Sequence, residues 1–83
     1  MKVTVKYFAS IREAVGVPAE VRDTQASTLA ALRDELVALG GPYAESLTRG
    51  KAVRLALNQV MVDESVALTD GAEVAFFPPV TGG

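Results

Sequence analysis

One apolar stripe constrains the fold of this chain more than any other feature of its sequence. Four leucines recur at spacings of three, four and three residues: Leu29, Leu32, Leu36 and Leu39. This period places them on one side of an α-helix, with Ser27 or Thr28 as its N-cap and the Gly-Gly-Pro run at 40–42 as its stop. The stripe is too short for a coiled coil, so it predicts one helix that packs on a core.

The rest of the chain is dominated by strand patterns. Residues 2–8 alternate, which predicts that Val3, Val5 and Tyr7 face the core and that Phe8 faces the other side. Further segments with strand character are 19–23, 53–57, 60–62 and 73–77. Ser10 and Glu13 fit a capping box for a short helix between the first two strands. Residues 43–50 are predicted to be irregular, with at most one helical turn.

Most charged side chains are predicted to be solvated. Arg33, Asp34 and Glu35 lie off the leucine stripe and are expected to turn outward from the helix. Asp63 and Glu64 follow a short strand and are expected to lie in a solvated loop. Paired carboxylates can do acid–base chemistry, but no pocket or partner group accompanies this pair in the sequence.

The order of elements is β, short α, β, α, β, β, β. The economical arrangement is a mixed sheet of about five strands with one main helix across one face, and with the first and last strands parallel and adjacent in the centre. This is the β-grasp arrangement, of the α+β class. In the last strand, Val74 and Phe76 are predicted to face the core, with Ala75 and Phe77 on the opposite face.

The alternation of side chains along the strands also predicts an apolar cluster on the helix-free face of the sheet. Three apolar residues alternate with the core-facing positions of their strands and therefore point to the opposite face: Phe8, Met61 and Phe77. Exposed apolar clusters commonly mark interaction sites. A second, minor core beneath the loops is the alternative reading of these three residues.

Composition excludes several classes of function. The 83 residues form one domain with a formal net charge of −2, and the 8 basic residues are scattered, which argues against a nucleic-acid surface. The absence of cysteine and histidine removes disulfides, thiol nucleophiles and the commonest metal ligands. No apolar run is long enough for a membrane span, and the first residues read as a strand and not as a signal peptide. We therefore expect a cytoplasmic protein that binds neither nucleic acid nor membrane.

The last residues read as an arm that extends from the domain. Pro78 and Pro79 lack the N–H that a ladder needs, so they end the sheet and favour an extended exit. We predict a domain at 1–78 and a tail at 79–83, which spans roughly 16 Å when extended at about 3.3 Å per residue. Gly82 and Gly83 have no Cβ and suit a narrow channel. The tail is therefore predicted to present the carboxylate of Gly83 to a partner's active site, although a merely frayed end is the alternative.

Three segments carry a resemblance to a known family. The opening KYFASIRE, the middle ALNQVMV and the ending LTDGAEVAFFPPVTGG resemble the small, sulfur-carrying subunits of molybdopterin synthase, the MoaD-type members of the ubiquitin-like superfamily. The resemblance spans residues 1–83, and the ending is its most specific part. Other ubiquitin-like sulfur carriers share Gly-Gly but usually not FFPPVTGG.

The resemblance implies a sulfur carrier in molybdenum cofactor biosynthesis. An E1-like enzyme would adenylate Gly83, a persulfide donor would convert it to a thiocarboxylate, and the sulfur would pass to the cyclic pyranopterin monophosphate inside the large synthase subunit. By resemblance, the inserted tail comprises Pro79, Val80, Thr81 and Gly82, and the docking surface comprises Phe8, Arg12, Met61 and Phe77. The chain itself would be a sulfur-donating co-substrate and not the catalytic subunit.

The resemblance also implies the partners and leaves two alternatives open. The small and large subunits would form a heterotetramer with two copies of each, and ATP and Mg²⁺ would bind at the activating enzyme, because this chain has no group to hold a cofactor or metal alone. The first alternative is a sulfur carrier for thiamine or cysteine synthesis, or a protein modifier linked through Gly83. The second is a non-catalytic binding domain.

Overall fold

The strands and helices follow the predicted order, with one helix more than expected. The computed structural model describes residues 1–79. In chain order the elements are β1 (Lys2–Tyr7), α1 (Ala9–Val15), β2 (Ala19–Asp23), α2 (Leu29–Val37), α3 (Gly41–Leu47), β3 (Arg54–Leu57), β4 (Val60–Val62) and β5 (Glu73–Phe77). Within residues 1–79, no helix combines the length and hydropathy that crossing a bilayer requires.

The strands form one mixed sheet with the order β2-β1-β5-β3-β4. Its central strands β1 and β5 are parallel, and the other three neighbouring pairs are antiparallel. This confirms the predicted α+β architecture with the first and last strands side by side. The parallel pair brings the end of β1 and the end of β5 to the same edge of the sheet, where the tail begins.

The core lies between the sheet and the helices. Its largest fully buried side chains are Tyr7, Phe76, Leu29, Leu32, Leu36, Leu47, Val3, Val5 and Val74. The parity predictions for β1 and β5 and three of the four stripe leucines are thereby confirmed. Burial of each large apolar side chain contributes about 1.5–3 kcal/mol relative to exposure, so the leucine stripe is a main source of stability.

Leu39 is the exception in the leucine stripe, and its predicted core position is wrong. Helix α2 ends at Val37, and Leu39 is 51% exposed. The backbone N–H of Leu39 donates to the carbonyl of Leu36, three residues earlier, which tightens the last turn. The tighter turn rotates Leu39 off the stripe.

The predicted irregular segment at 43–50 contains a helix instead. Helix α3 covers Gly41–Leu47 with Pro42 in its first turn, so the proline that was predicted to stop α2 begins the next helix instead. Gly40 and Gly41 have φ of 74° and 55°, which lets the chain reverse between the two helices. Leu47, on α3, is fully buried and adds a core residue that the stripe did not predict.

The predicted capping box of α1 is also wrong. The N-cap is Phe8, which makes no side-chain cap bond, and the helix begins at Ala9. The Phe8 N–H donates to the carbonyl of Phe76 at 3.2 Å and holds Phe8 in extended backbone. The chain then turns at Ala9, whose φ is 51°, so Ser10 already lies inside the helix. Gly16 caps the other end in the left-handed conformation.

Arg33 contradicts its predicted outward position most strongly. Its side chain is 5% exposed, and its guanidinium donates to the carbonyl oxygens of Leu47 at 2.6 Å, Thr48 at 3.0 Å and Lys51 at 2.9 Å. These carbonyls end α3 and begin the segment that follows. A cation there satisfies the orphan carbonyls of a helix C-terminus and complements its dipole. Arg33 therefore holds the α3–β3 connection against α2.

Glu64 completes this network, so the prediction that it is solvated is wrong. One carboxylate oxygen accepts from Arg33 at 3.1 Å, and the other accepts a short bond from Arg49. Arg49 is exposed and also makes a bidentate pair with Asp34 at 2.9 and 3.1 Å. Hydrogen bonds to Asp34 and then Glu64 raise the pKa of Arg49 above its ordinary value. The carboxylate of Glu64 thus joins a buried arginine to an exposed one.

Two tyrosines share the carboxylate of Glu20. The hydroxyls of Tyr7 and Tyr43 donate to the same oxygen of Glu20, at 2.8 and 2.7 Å. Burial, followed by the hydrogen bond to Glu20, raises the pKa of Tyr7 well above its ordinary value of 10.0. For Tyr43 the hydrogen bond to Glu20 is the larger cause of a raised pKa. The folded state therefore holds both phenol protons.

This arrangement predicts a loss of stability at alkaline pH. Above pH 10.0 the unfolded tyrosines release protons that the folded state retains, so the free energy of unfolding falls as pH rises. Between about pH 9 and about pH 11, the urea midpoint of the wild type should fall more steeply than that of Tyr7→Phe, which lacks the phenol. An equal fall in both proteins would contradict this linkage.

Candidate functional site

Two stacked phenylalanines form the centre of the helix-free face. Tyr7 and Phe76 are paired in the parallel β1–β5 register, so the next residues, Phe8 and Phe77, lie side by side and point away from the core. Their ring centroids are 4.6 Å apart and their planes differ by 10°. Phe8 is 38% exposed. An aromatic pair of this kind contributes about 0.5–1.5 kcal/mol beyond its buried area.

Met61 joins the phenylalanines, as the parity argument predicted. These three residues line one groove of about 550 Å³ together with Ala9, Arg54, Pro78 and Pro79. Met61 is 53% exposed, although it belongs to a strand. The predicted placement of the cluster on one face, at the start of the tail, is confirmed. Its role in docking a partner remains a prediction.

The β3–β4 hairpin sets the position of Met61. Its two turn residues, Asn58 and Gln59, have φ of 50° and 71°, the two positive values that a tight hairpin turn of the primed type requires. Asn58 also bonds Glu73 of β5 twice, because its N–H donates to the Glu73 carbonyl at 2.8 Å and its side-chain oxygen accepts from the Glu73 N–H at 2.9 Å. The hairpin is thereby fixed to the central strand.

The helix-free face also contains residues that sequence reasoning missed. Ala56 pairs with Met61 on one side and with Ala75 on the other, and both alanines are buried, at 4% and 5% exposure. Arg54 pairs with Phe77 and lies on the same face. The alternation of β3 would have placed Ala56 and Arg54 on this face, had the pairing of β3 with β5 been known.

The groove has the composition of a binding surface. Of the described residues that line it, Arg54 alone is ionisable, and there is no hydroxyl, carboxylate or imidazole. Aromatic, methionine and arginine side chains are the types enriched at protein–protein interfaces. We therefore interpret the site as a docking surface, whose reacting group must be supplied from outside the groove.

The remaining predicted site residues are not all brought to this groove. Arg12 lies one helical turn after Phe8 but lines a separate groove with Glu13, Gly16, Val17 and Pro18. Pro79 is exposed and lines the apolar groove. The other tail positions, Val80, Thr81, Gly82 and Gly83, lie outside the described residues. The predicted roles of the tail and of Arg12, and the domain boundary at 78, stay predictions.

Comparison with known proteins identifies the family. A sequence profile of the ThiS family matches residues 5–83. The chain belongs to the ThiS family. It is 44% identical over 81 residues to the molybdopterin synthase sulfur carrier subunit of Escherichia coli, and the match covers 98% of this chain and 99% of the relative. The resemblance in the opening, middle and ending of the sequence is thereby confirmed.

Solved structures of similar proteins share the fold. One is a complex of subunits 1 and 2 of the molybdopterin-converting factor from Helicobacter pylori, in which the matched chain is 30% identical with a TM-score of 0.70, and all of both chains is covered. SAMP1 from Haloferax volcanii is 26% identical with a TM-score of 0.78, again with full coverage of both. The β-grasp prediction is confirmed.

Proposed function

We propose that this chain is the sulfur carrier subunit of a molybdopterin synthase. The observation that carries the proposal is the 44% identity with the Escherichia coli sulfur carrier subunit, along almost the whole of both chains. The site supports it, because a groove without catalytic groups next to Pro78 and Pro79 suits a protein that docks and presents its tail. The cofactor product would be molybdopterin, and the chain would act as a sulfur-donating co-substrate.

The reacting group is the carboxylate of Gly83. A carboxylate is a poor electrophile, so an E1-like enzyme first joins it to AMP from ATP and releases pyrophosphate, with Mg²⁺ bound at that enzyme. A persulfide sulfur then displaces AMP, and a thiol cleaves the acyl disulfide, which oxidises that thiol and leaves the thiocarboxylate. The thiocarboxylate sulfur attacks a carbon of the cyclic pyranopterin monophosphate and displaces an oxygen substituent from it. Water then hydrolyses the resulting thioester, which leaves the sulfur on the pterin and restores the carboxylate.

The domain and the tail divide the work in this proposal. The domain, residues 1–78, docks on the large synthase subunit through Phe8, Met61 and Phe77, and Arg12 contributes to docking from its separate groove. Residues 79–83 enter the large subunit's pocket, where side chains no bulkier than valine and threonine precede the two glycines. Two small and two large subunits form the assembly. Two carriers supply the two dithiolene sulfurs of molybdopterin.

Intact mass tests the proposal directly. The purified chain is incubated with an E1-like enzyme, ATP, a persulfide donor and a thiol reductant, and we expect the mass gain of one oxygen-to-sulfur exchange at Gly83. The matched control omits ATP and should show no gain. A persistent lack of exchange with an active enzyme would exclude a sulfur carrier and leave a protein modifier or a passive binding domain.

Co-purification separates molybdopterin synthesis from the alternative carriers. The chain, isolated from its host, should recover a large molybdopterin synthase subunit. Recovery of a thiazole-forming or cysteine-forming enzyme in its place would exclude molybdopterin synthase as the partner. Covalent conjugates between Gly83 and lysines of other proteins would indicate a protein modifier.

A charge at Phe77 is expected to abolish docking while the domain stays folded. Phe77→Asp places a carboxylate in the centre of the apolar groove, and loss of a hot spot worth at least ~2 kcal/mol weakens binding to the large subunit by about 30-fold or more. Val21→Asp is the control, because Val21 is 67% exposed on the edge strand β2. Binding is measured by titration calorimetry and folding by circular dichroism.

Two results would contradict this role for Phe77. If Phe77→Asp unfolds the domain, Phe77 belongs to a second core and not to a docking surface. If Phe77→Asp binds the large subunit as tightly as Val21→Asp, the groove is not the docking site.

A further inference from the structure

Arg54 stands at the border of the apolar groove. It is the cross-strand partner of Phe77 in the β3–β5 pair, so its side chain is on the face that carries Phe77. Arg54 and Met61 also line a second, polar groove of about 640 Å³, which contains Arg49 and Lys51 as well. The two grooves therefore form one continuous surface, apolar on one side of Arg54 and polar on the other.

Within residues 1–79, half of the basic side chains have an acidic partner within the chain. Lys6, Arg22, Arg33 and Arg49 make ion pairs. Lys2, Arg12, Lys51 and Arg54 make none in this part of the chain. Arg54 and Lys51 both line the polar groove, so two of the four cations without an intrachain partner are gathered at this surface.

The carboxylates of the polar groove do not pair with Arg54. Glu64 is held by Arg33 and Arg49. Asp63 accepts a hydrogen bond from the Ser65 N–H at 2.8 Å, which lowers its pKa. Neither forms an ion pair with Arg54 or Lys51 in the described structure. Arg54 is exposed, so its guanidinium keeps a planar fork of donors open to solvent.

We propose that Arg54 is a specificity-determining residue that receives a carboxylate of the docked partner. The partner would place an apolar side chain in the groove of Phe8, Met61 and Phe77 and an acidic side chain against Arg54, with Lys51 attracting the same acidic segment. Complementary charge at the rim of an apolar contact steers association and fixes register. The inference rests on the proposed function, because it takes the large synthase subunit as the partner and assigns it an acidic rim.

The test compares two charge reversals that change the net charge equally. Arg54→Glu reverses the cation at the groove, and Lys2→Glu reverses a cation that also makes no ion pair within residues 1–79. Lys2 is the first residue of β1 and Phe8 directly follows that strand, so the two are about 20 Å apart. This distance is beyond the screening length of about 8 Å at physiological salt. Calorimetric titration with the large subunit gives Kd for the wild type and both variants.

We expect Arg54→Glu to raise Kd about tenfold at physiological salt and Lys2→Glu to raise it less than about twofold. At about 1 M salt, where screening acts over about 3 Å, the difference between the variants should largely disappear. Arg54→Gln should fall between Arg54→Glu and the wild type. Circular dichroism confirms that each variant is folded.

Three outcomes overturn the inference while the sulfur-carrier function stands. The first is binding of Arg54→Glu as tight as that of the wild type. The second is an equal loss in both variants, which would reflect net charge alone. The third is a loss that persists unchanged at about 1 M salt, which would reflect shape and not charge. Failure of the wild type to bind the large subunit at all would instead overturn the proposed function, and this inference with it.

Discussion

Adding one alanine after Gly83 is expected to abolish sulfur transfer. One extra residue moves the terminal carboxylate by about 3.3 Å, and a misplacement of about 1 Å can already cost 10²-fold in rate. We therefore expect at least about a hundredfold loss of molybdopterin formation with the purified synthase and activating enzyme. Thiocarboxylate formation, read by intact mass, should fall in parallel because the activating enzyme must reach the same carboxylate.

An alanine added before Met1 is the matched control. It lengthens the chain equally but leaves the carboxyl end unchanged, so molybdopterin formation should stay near the wild-type rate. Both proteins should bind the large subunit through the apolar groove that contains Phe8 and Phe77. Undiminished product with the alanine after Gly83, with intact mass confirming that the alanine is still present, would show that Gly83 is not the sulfur-bearing residue.

Replacing Arg33 is expected to destabilise the domain more than replacing any other charged residue within residues 1–79. Arg33→Met fills a similar volume but leaves the carbonyls of Leu47, Thr48 and Lys51 without their donor and removes one partner of Glu64. Breaking a buried pair by removing one partner costs about 3–5 kcal/mol. A domain of this size has roughly 4–12 kcal/mol in total, so this variant should approach unfolding.

Arg49→Met is the control for Arg33→Met. Arg49 shares Glu64 with Arg33 but is exposed, and exposed pairs contribute about 0–1 kcal/mol. Urea unfolding should therefore show a large fall of the midpoint for Arg33→Met and a small one for Arg49→Met, with similar slopes. Equal losses in the two variants would show that burial of Arg33 does not matter.

The alanine added after Gly83 and the Arg33→Met substitution act on different parts of the protein. Gly83 would bear the chemistry, and Arg33 keeps the two connections around β3 and β4 together. The first connection leads into β3, which presents Arg54, and the second follows β4, which presents Met61. Loss of Arg33 should therefore weaken docking only through loss of folded protein, whereas loss of Phe77 should weaken docking in a folded domain.

Alternation and helical period were sufficient to predict most of the fold. The core side of β1 and β5, the leucine stripe through Leu36 and the apolar cluster of Phe8, Met61 and Phe77 depend on periods of 2 and 3.6 residues, which are properties of neighbouring positions. The errors lie where a competing interaction acts. The backbone hydrogen bond from Phe8 to Phe76 makes Phe8 the N-cap in place of Ser10. The early end of α2 takes Leu39 out of the leucine stripe.

The local order of residues thus determined which side chains could share a face, because a strand or a helix turns by a constant angle per residue. It could not determine the partners of Arg33, whose acceptors are 14 to 31 residues away. Nor could it place Arg54 beside Phe77, since that contact exists only once β3 pairs with β5. Both depend on which distant segments meet when the sheet closes over the core, and this is set by packing of the whole chain.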